Sequence, residues 1–111
     1  MINCPYCGRP AILDRVKYGS FYEFYWICVP CDAKIKANPH TKQPLGTMAN
    51  KELRSKRMLA HRVFDVTWKF TNNRSEAYMK LAEHLNLPPS ECHIAKFNIA
   101  RCNQVITYCR G

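Results

Sequence analysis

Residues 4–8 read CPYCG and residues 28–31 read CVPC, and these two stretches decide the fold of the N-terminal part of the chain. Each holds two cysteines with two residues between them, a spacing that presents both sulfurs to one ion, about 2.3 Å away if the ion is zinc. Twenty residues separate the pairs, a length that suits a β-hairpin with one cysteine pair at each end. The pattern predicts a four-cysteine zinc ribbon with Cys4, Cys7, Cys28 and Cys31 as ligands.

The zinc predicted here is a structural ion. Four thiolates complete a tetrahedral shell and leave no open position for water, which argues against hydrolysis at this ion. A ribbon of about 40 residues buries too little apolar surface to fold unaided, so metal binding supplies folding free energy. The residues alone leave two alternatives open, namely iron in a rubredoxin-like site and two unrelated pairs of buried or redox-active thiols.

The other cysteines and the compartment follow from the same count. The chain has 111 residues and seven cysteines, an odd number that fits metal binding in a reducing compartment better than a disulfide framework. Cys92, Cys102 and Cys109, with His93, match no standard zinc spacing and are expected to pack as core residues. No signal-peptide pattern is present and no apolar run approaches the roughly 20 residues that span a bilayer. We therefore expect a cytoplasmic protein without membrane contact.

The order of patterns along the chain predicts an α+β fold. Residues 1–40 form the zinc ribbon, with two to three short antiparallel strands at 11–17, 21–27 and 33–37. Residues 41–48 are rich in turn signals and predict a connector. Residues 49–111 predict a helical domain of three to four helices, with Asn73 and Asn98 as N-caps and a short turn starting at Ser90.

The first predicted helix, 50–70, is amphipathic. Its apolar arc contains Leu53, Ala60, Val63, Phe64 and Thr67. Its opposite arc contains Lys51, Arg54, His61, Arg62, Asp65 and Lys69. The sequence thus predicts a helix with a basic outer face.

Positive charge is concentrated around this helix. The formal net charge is +9, or about +7 once four thiolates and one zinc ion are counted. Residues 34–74 hold ten of the seventeen lysines and arginines and two of the eight acidic residues. Such a field favours DNA, RNA or an acidic protein surface as partner, although basic residues on a helix also serve solubility alone. The candidate nucleic-acid contacts are Lys34, Lys36, Lys42, Lys51, Arg54, Arg57, His61, Arg62 and Lys69.

The most aromatic stretch is FYEFYW at residues 21–26. Strand alternation places Tyr22, Phe24 and Trp26 on one face and Phe21 and Tyr25 on the other. One face is suited to stacking on bases, as in single-strand binders. The interpretation that we favour from the sequence is that one face covers the ribbon core and the other docks against the helices.

No catalytic pattern stands out. His61 and Asp65 are four residues apart on the first helix, and His40, His84 and His93 are scattered. The chain lacks a Ser-His-Asp order, HExxH, a P-loop or paired carboxylates. We expect a protein that is not an enzyme and has no small-molecule substrate.

Four segments resemble a family of zinc-finger-containing proteins found in bacteria and their phages, and together they extend over most of the chain. They are CPYCG at 4–8, WICVPCDA at 26–33, PLGTMANKELRSKRMLAH at 44–61 and EAYMKLAEHLNLPPSECHIAKF at 76–97. The resemblance implies a bacterial host cell and the four cysteines as ligands, but it carries no established activity. Residues at recurrent family positions without an assigned role are His40, Asn50, Glu52, Leu53, Arg54, His61, Phe64 and Asp65.

Two hypotheses follow for function. The first is a small adaptor or accessory protein that presents a basic surface to nucleic acid. The second is a protein-interaction module, such as a phage-encoded modulator of a host protein, without nucleic-acid contact.

Overall fold

A two-residue turn at Gly19 and Ser20 sets the register of the N-terminal sheet, because the residues on either side of it pair directly. Gly19 has a φ of 61°, a left-handed conformation that costs glycine little. The computed structural model describes residues 2–110, apart from the side chain of Tyr18. Strand β1 (Ile12–Tyr18) pairs antiparallel with β2 (Phe21–Cys28), and β3 (Ala33–Lys36) pairs antiparallel with the other edge of β2.

Three α-helices follow the sheet, so the predicted α+β class is confirmed. They are α1 (Lys51–Lys69), α2 (Arg74–Leu85) and α3 (Ile99–Arg110). Two short 3-10 helices, Pro89–Glu91 and Ile94–Lys96, lie between the last two. No helix in the described part of the chain is both long enough and apolar enough to cross a membrane.

The chain divides into two compact units, residues 1–52 and 53–111, here called the ribbon unit and the helical unit. Residues 41–48, predicted as a connector, lie in the ribbon unit. Ala49 exchanges two backbone hydrogen bonds of 3.0 Å with Lys34, and Ala37 forms a bridge with Pro44. Met48 is 4% exposed and contributes to the ribbon core. This segment therefore completes the ribbon.

Two helices of the helical unit begin at the asparagine caps that the sequence predicted, whereas Ser90, predicted to start a short turn, lies inside the 3-10 helix Pro89–Glu91 and does not cap it. The Asn73 side chain accepts a hydrogen bond from the backbone N–H of Glu76 and donates one to its carboxylate, which closes a capping box. Asn86 ends α2 in the left-handed conformation, with φ of 55°. The Asn98 side chain accepts a 2.8 Å hydrogen bond from the backbone N–H of Arg101 at the start of α3.

The helical unit has its own apolar core. Its largest fully buried side chains are Phe64, Leu81, Ile94, Val105, Cys92 and Cys102. Phe64 also packs against the ring of Tyr78, with ring centroids 4.5 Å apart. Thr67, predicted on the apolar arc of α1, is exposed, and Val63 is half-buried.

The buried face of α1 contains a charged residue that was predicted to lie on the basic surface. Arg57 is 7% exposed, and its Nε donates a 2.9 Å hydrogen bond to the backbone carbonyl of Phe97. Arg57 therefore does not belong to an exposed basic surface. A guanidinium at such a position needs acceptors inside the protein, because burial without them is costly.

We predict that Arg57→Met destabilises the helical unit by about 1.5–3 kcal/mol, the usual cost of losing a buried hydrogen bond to a charged group. The same substitution at the exposed Arg62 on the same helix is the matched control, and it should change stability by no more than about 0.5 kcal/mol. The measurement is chemical denaturation followed by far-UV circular dichroism. Equal stability of the two variants would contradict the structural role of Arg57.

Candidate metal centre and basic surface

Each cysteine pair lies in a tight turn that ends in a left-handed residue. After the first pair, Gly8 has a φ of 77°, and its N–H donates a 2.8 Å hydrogen bond to the carbonyl of Cys4. After the second pair, Asp32 has a φ of 50°, and its N–H donates a 3.1 Å hydrogen bond to the carbonyl of Val29. Glycine and aspartate both tolerate this conformation better than most residues. The two turns thus bend the chain around one point.

The four sulfurs of the predicted ligands meet there. Cys4, Cys7, Cys28 and Cys31 have their Sγ atoms all within 4.8 Å of one another. The Sγ atoms of Cys7 and Cys28 are 3.7 Å apart. A tetrahedron with metal–sulfur bonds of 2.3 Å has edges of about 3.8 Å, so this separation fits a four-thiolate site.

The thiols of Cys4 and Cys31 differ in how readily they ionise. Burial opposes ionisation of Cys4, but the backbone N–H groups of Tyr6 and Cys7 and the thiols nearby outweigh it and lower the pKa of Cys4 to about 7. The hydrogen bond with Cys7 and burial raise the pKa of Cys31 to about 12. Four adjacent thiolates repel one another, so a complete set of thiolates needs a cation between them. A bound divalent ion supplies that charge and holds the two turns together.

The metal centre is also the core of the ribbon unit. The buried residues of this core are Cys4, Ala11, Cys28, Ala33 and Met48. Trp26 and Ile35, neighbours across β2 and β3, pack against them. Tyr6, between the first two ligands, accepts a 3.1 Å hydrogen bond from the backbone N–H of Asn50, which sits just before α1. This last contact joins residues 44 positions apart, so no local pattern predicts it.

The remaining cysteines lie in the helical unit. Burial raises the pKa of Cys92, Cys102 and Cys109, so these thiols favour their neutral form. Cys92 and Cys102 are fully buried, as expected for small apolar side chains in a core. His93 is exposed.

A three-stranded sheet with two cysteine turns and four convergent sulfurs defines a metal-stabilised ribbon of the zinc-finger class. The chain belongs to the zinc-finger-containing domain family, whose model matches residues 1–111. No curated protein and no solved structure matches the chain. Membership of this family explains the metal centre. It does not identify a binding partner, which has to be inferred from the protein surface.

The candidate basic residues occupy different surroundings. Lys51, Arg62 and Lys69 are exposed on α1. Arg54 is half-buried and has an interaction partner. Lys34 is half-buried on β3, and the Lys36 Nζ lies 3.1 Å from a carboxylate oxygen of Glu23. Lys42 is half-buried beside β2, with its Nζ 4.0 Å from the centroid of the Phe24 ring.

His61 is the remaining candidate, and its environment disfavours a positive charge. Burial lowers its pKa, the carboxylate of Asp65 acts in the opposite direction, and Arg74 lowers it further. The imidazole therefore remains neutral at neutral pH. The Asp65 carboxylate accepts a 3.0 Å hydrogen bond from Nε1 of Trp68.

We predict that Cys28→Ser abolishes tight metal binding and unfolds the ribbon unit while the helical unit stays folded. The reason is that metal binding to such a site contributes about 10–16 kcal/mol at neutral pH, more than so small a core supplies. Cys109→Ser, a thiol outside the cluster, is the control and should keep one metal ion per chain. Metal analysis and amide NMR spectra of both variants measure this. A Cys28→Ser protein with an intact ribbon and no metal would show that the site is not structural.

We also predict that mild acid destabilises the helical unit through His61. Its pKa in the folded state lies below the ordinary value of 6.5, so the unfolded chain takes up the proton first. The stability that the neutral His61 imidazole provides is fully present above pH 6.5 and is lost as the pH falls toward the folded-state pKa of His61. His61→Gln should weaken this pH dependence, and an unchanged pH dependence in that variant would contradict the role of His61. Urea denaturation of the helical unit across this pH range measures it.

Proposed function

We propose that this protein is a nucleic-acid-binding accessory domain that contacts phosphates through the outer face of α1. The observation that carries the proposal is the division of charge between the two units. Residues 1–52 hold seven basic and four acidic residues, a net charge of +3, which falls to about +1 with four thiolates and one Zn²⁺. Residues 53–111 hold ten basic and four acidic residues, a net charge of +6. The excess positive charge therefore belongs to the helical unit.

On α1 two exposed basic residues of the helical unit lie in line. Arg62 and Lys69 share one narrow arc of the helix and are about 10 Å apart along its axis. Within residues 2–110, neither of these two side chains pairs with a carboxylate. Unpaired cations on one side of a helix suit contacts with the phosphates of a nucleic-acid backbone. Such contacts confer affinity without sequence preference.

The ion that we propose for the metal centre is a single structural Zn²⁺. The four-thiolate donor set and the membership of a zinc-finger family support it, and the closed shell leaves no position for a reacting water. The proposed Zn²⁺ stabilises the fold of the ribbon and takes no part in a reaction. The function that we propose is therefore binding. Metal analysis of protein purified without added metal distinguishes zinc from iron.

A second candidate function is binding of a protein partner, because the same face of α1 carries exposed apolar side chains. Met58 and Val66 are 62% and 57% exposed, and Phe70, the residue directly after α1, is 95% exposed. With Arg62 they recur every four residues, which forms one mixed ridge along the helix. Such a ridge would suit an acidic groove with an apolar floor. Capture of one protein from lysate regardless of nuclease treatment would favour this function.

We predict that the protein binds mixed-sequence duplex DNA or RNA with a strong salt dependence. Each phosphate contact contributes about −0.9 to the slope of log K against log salt, so the contacts of Arg62 and Lys69 predict a slope of about −2 or steeper. Arg62→Ala and Lys69→Ala should each weaken binding and reduce the steepness of that slope by about 1. Lys80→Ala is the matched control, because it removes one exposed charge that already pairs with Glu76 at 3.1 Å.

Fluorescence anisotropy with labelled oligonucleotides over a salt series provides the measurement. No binding at low salt, or a slope close to zero, would overturn the proposed function. Equal losses for Lys80→Ala and Lys69→Ala would show that net charge alone matters and that the pair on α1 is not the contact surface.

A further inference from the structure

The sheet of the ribbon unit has two faces of different chemistry. The register of β1 and β2 places Arg15 opposite Phe24 and Lys17 opposite Tyr22, so these four side chains share one face, here called the front face. Trp26 continues this face toward the metal centre.

Both carboxylates of the sheet lie on the other face, called the back face. Asp14 and Glu23 are there, and Glu23 is paired with Lys36 and accepts a 3.2 Å hydrogen bond from the hydroxyl of Tyr25. The charged side chains on the front face are therefore all positive. This segregation is what an anionic partner of the front face requires.

On the front face the rings of Tyr22 and Phe24 each have a cation beside them. The Arg15 guanidinium lies 4.6 Å from the centroid of Tyr22, a residue that is 49% exposed. The Lys42 ammonium lies 4.0 Å from the centroid of Phe24. Cations are attracted to the faces of aromatic rings, so each pair keeps a positive charge beside a flat apolar surface.

Two contacts hold Lys42 in this position. The Nε1 of Trp26 donates a 2.9 Å hydrogen bond to the Lys42 carbonyl, and the Lys42 ammonium donates to the carbonyl of Pro39. Lys42 has a φ of 64°, a left-handed backbone conformation that turns the chain back toward β2. Lys42 thus belongs to the front face although it follows the sheet in sequence.

We infer that the front face binds single-stranded nucleic acid, with bases stacked on Tyr22 and Phe24 and phosphates held by Arg15, Lys17 and Lys42. Bases stack on aromatic rings and on guanidinium planes, and either surface of the Tyr22–Arg15 pair suits them. The inference rests on the proposed function and adds a second surface and a strand preference to it.

The geometry of the rings favours a single strand over a duplex. Tyr22 and Phe24 are two residues apart on one strand, which separates them by about 7 Å, twice the 3.4 Å rise per base of a stacked strand. Rings at this spacing receive bases that are splayed apart. In a duplex the faces of the bases are already stacked and are not accessible to such rings.

The test compares two exposed aromatic residues on the same strand. Tyr22→Leu removes the ring from the front face, and Phe21→Leu removes a 58% exposed ring from the back face. The probes are a mixed-sequence single-stranded DNA of about 20 nucleotides and the duplex of the same sequence, a length above the site size of about 4–16 nucleotides typical of one single-strand-binding domain. Metal content and amide NMR spectra verify that each variant retains a folded ribbon.

We expect Tyr22→Leu to weaken single-strand binding by about 5-fold to 150-fold, the range for one lost stacking contact, with little effect on the duplex. Phe21→Leu should bind both probes like the unmodified protein, and Tyr22→Phe should restore single-strand binding. Ultraviolet crosslinking to the single strand should label the tryptic peptide 18–34 at Tyr22 or Phe24.

Each other outcome separates this inference from the proposed function. If Tyr22→Leu and Phe21→Leu both bind the single strand like the unmodified protein, the front face is not the site, and phosphate binding by α1 stands. If the two variants lose binding equally, the effect is not specific to the front face and the inference fails. If no nucleic acid binds to the unmodified protein, both the inference and the proposed function fail.

Discussion

The attraction between a metal ion and four cysteine thiolates is the interaction on which the ribbon unit is expected to depend. Two of the five buried residues of its core, Cys4 and Cys28, are metal ligands, and two more are alanines. Burying so few apolar atoms yields a few kcal/mol, less than the roughly 10–16 kcal/mol that a structural metal site contributes at neutral pH. We therefore expect the sheet, its turns and the surfaces on it to persist only while a metal ion holds the sulfurs together.

The metal also changes the electrostatics of the molecule. With four thiolates and the proposed Zn²⁺ the ribbon unit would be nearly neutral, and the helical unit would carry most of the net charge. Near-neutrality does not make the ribbon surface uniform, because the hairpin register separates Asp14 and Glu23 from Arg15 and Lys17. Local charge on a sheet face is thus decided by alternation along the strands, even where the net charge of the unit is small.

Much of the fold was predictable because its signals are local. The cysteine spacing, the turn residues and the asparagine caps act over a few residues, and each appears in the structure close to its predicted position. The burial of Met48 in the ribbon core was not predictable from local signals. It packs with Cys4 and Cys28 across distances of 20 residues or more, and residues 41–48 contain turn signals that give no indication of what they pack against.

The positive charge of the basic surface was predictable, but the residues that form it were not. Arg57 follows Leu53 by four residues and precedes Ala60 by three, so helical periodicity alone places it in the buried arc of α1. Its charge led to the opposite assignment, since an isolated guanidinium is rarely buried. The acceptor that permits its burial is the Phe97 carbonyl, 40 residues away in a turn before α3. Periodicity thus indicates which way a side chain points, and only the tertiary fold shows whether a charge there finds a partner.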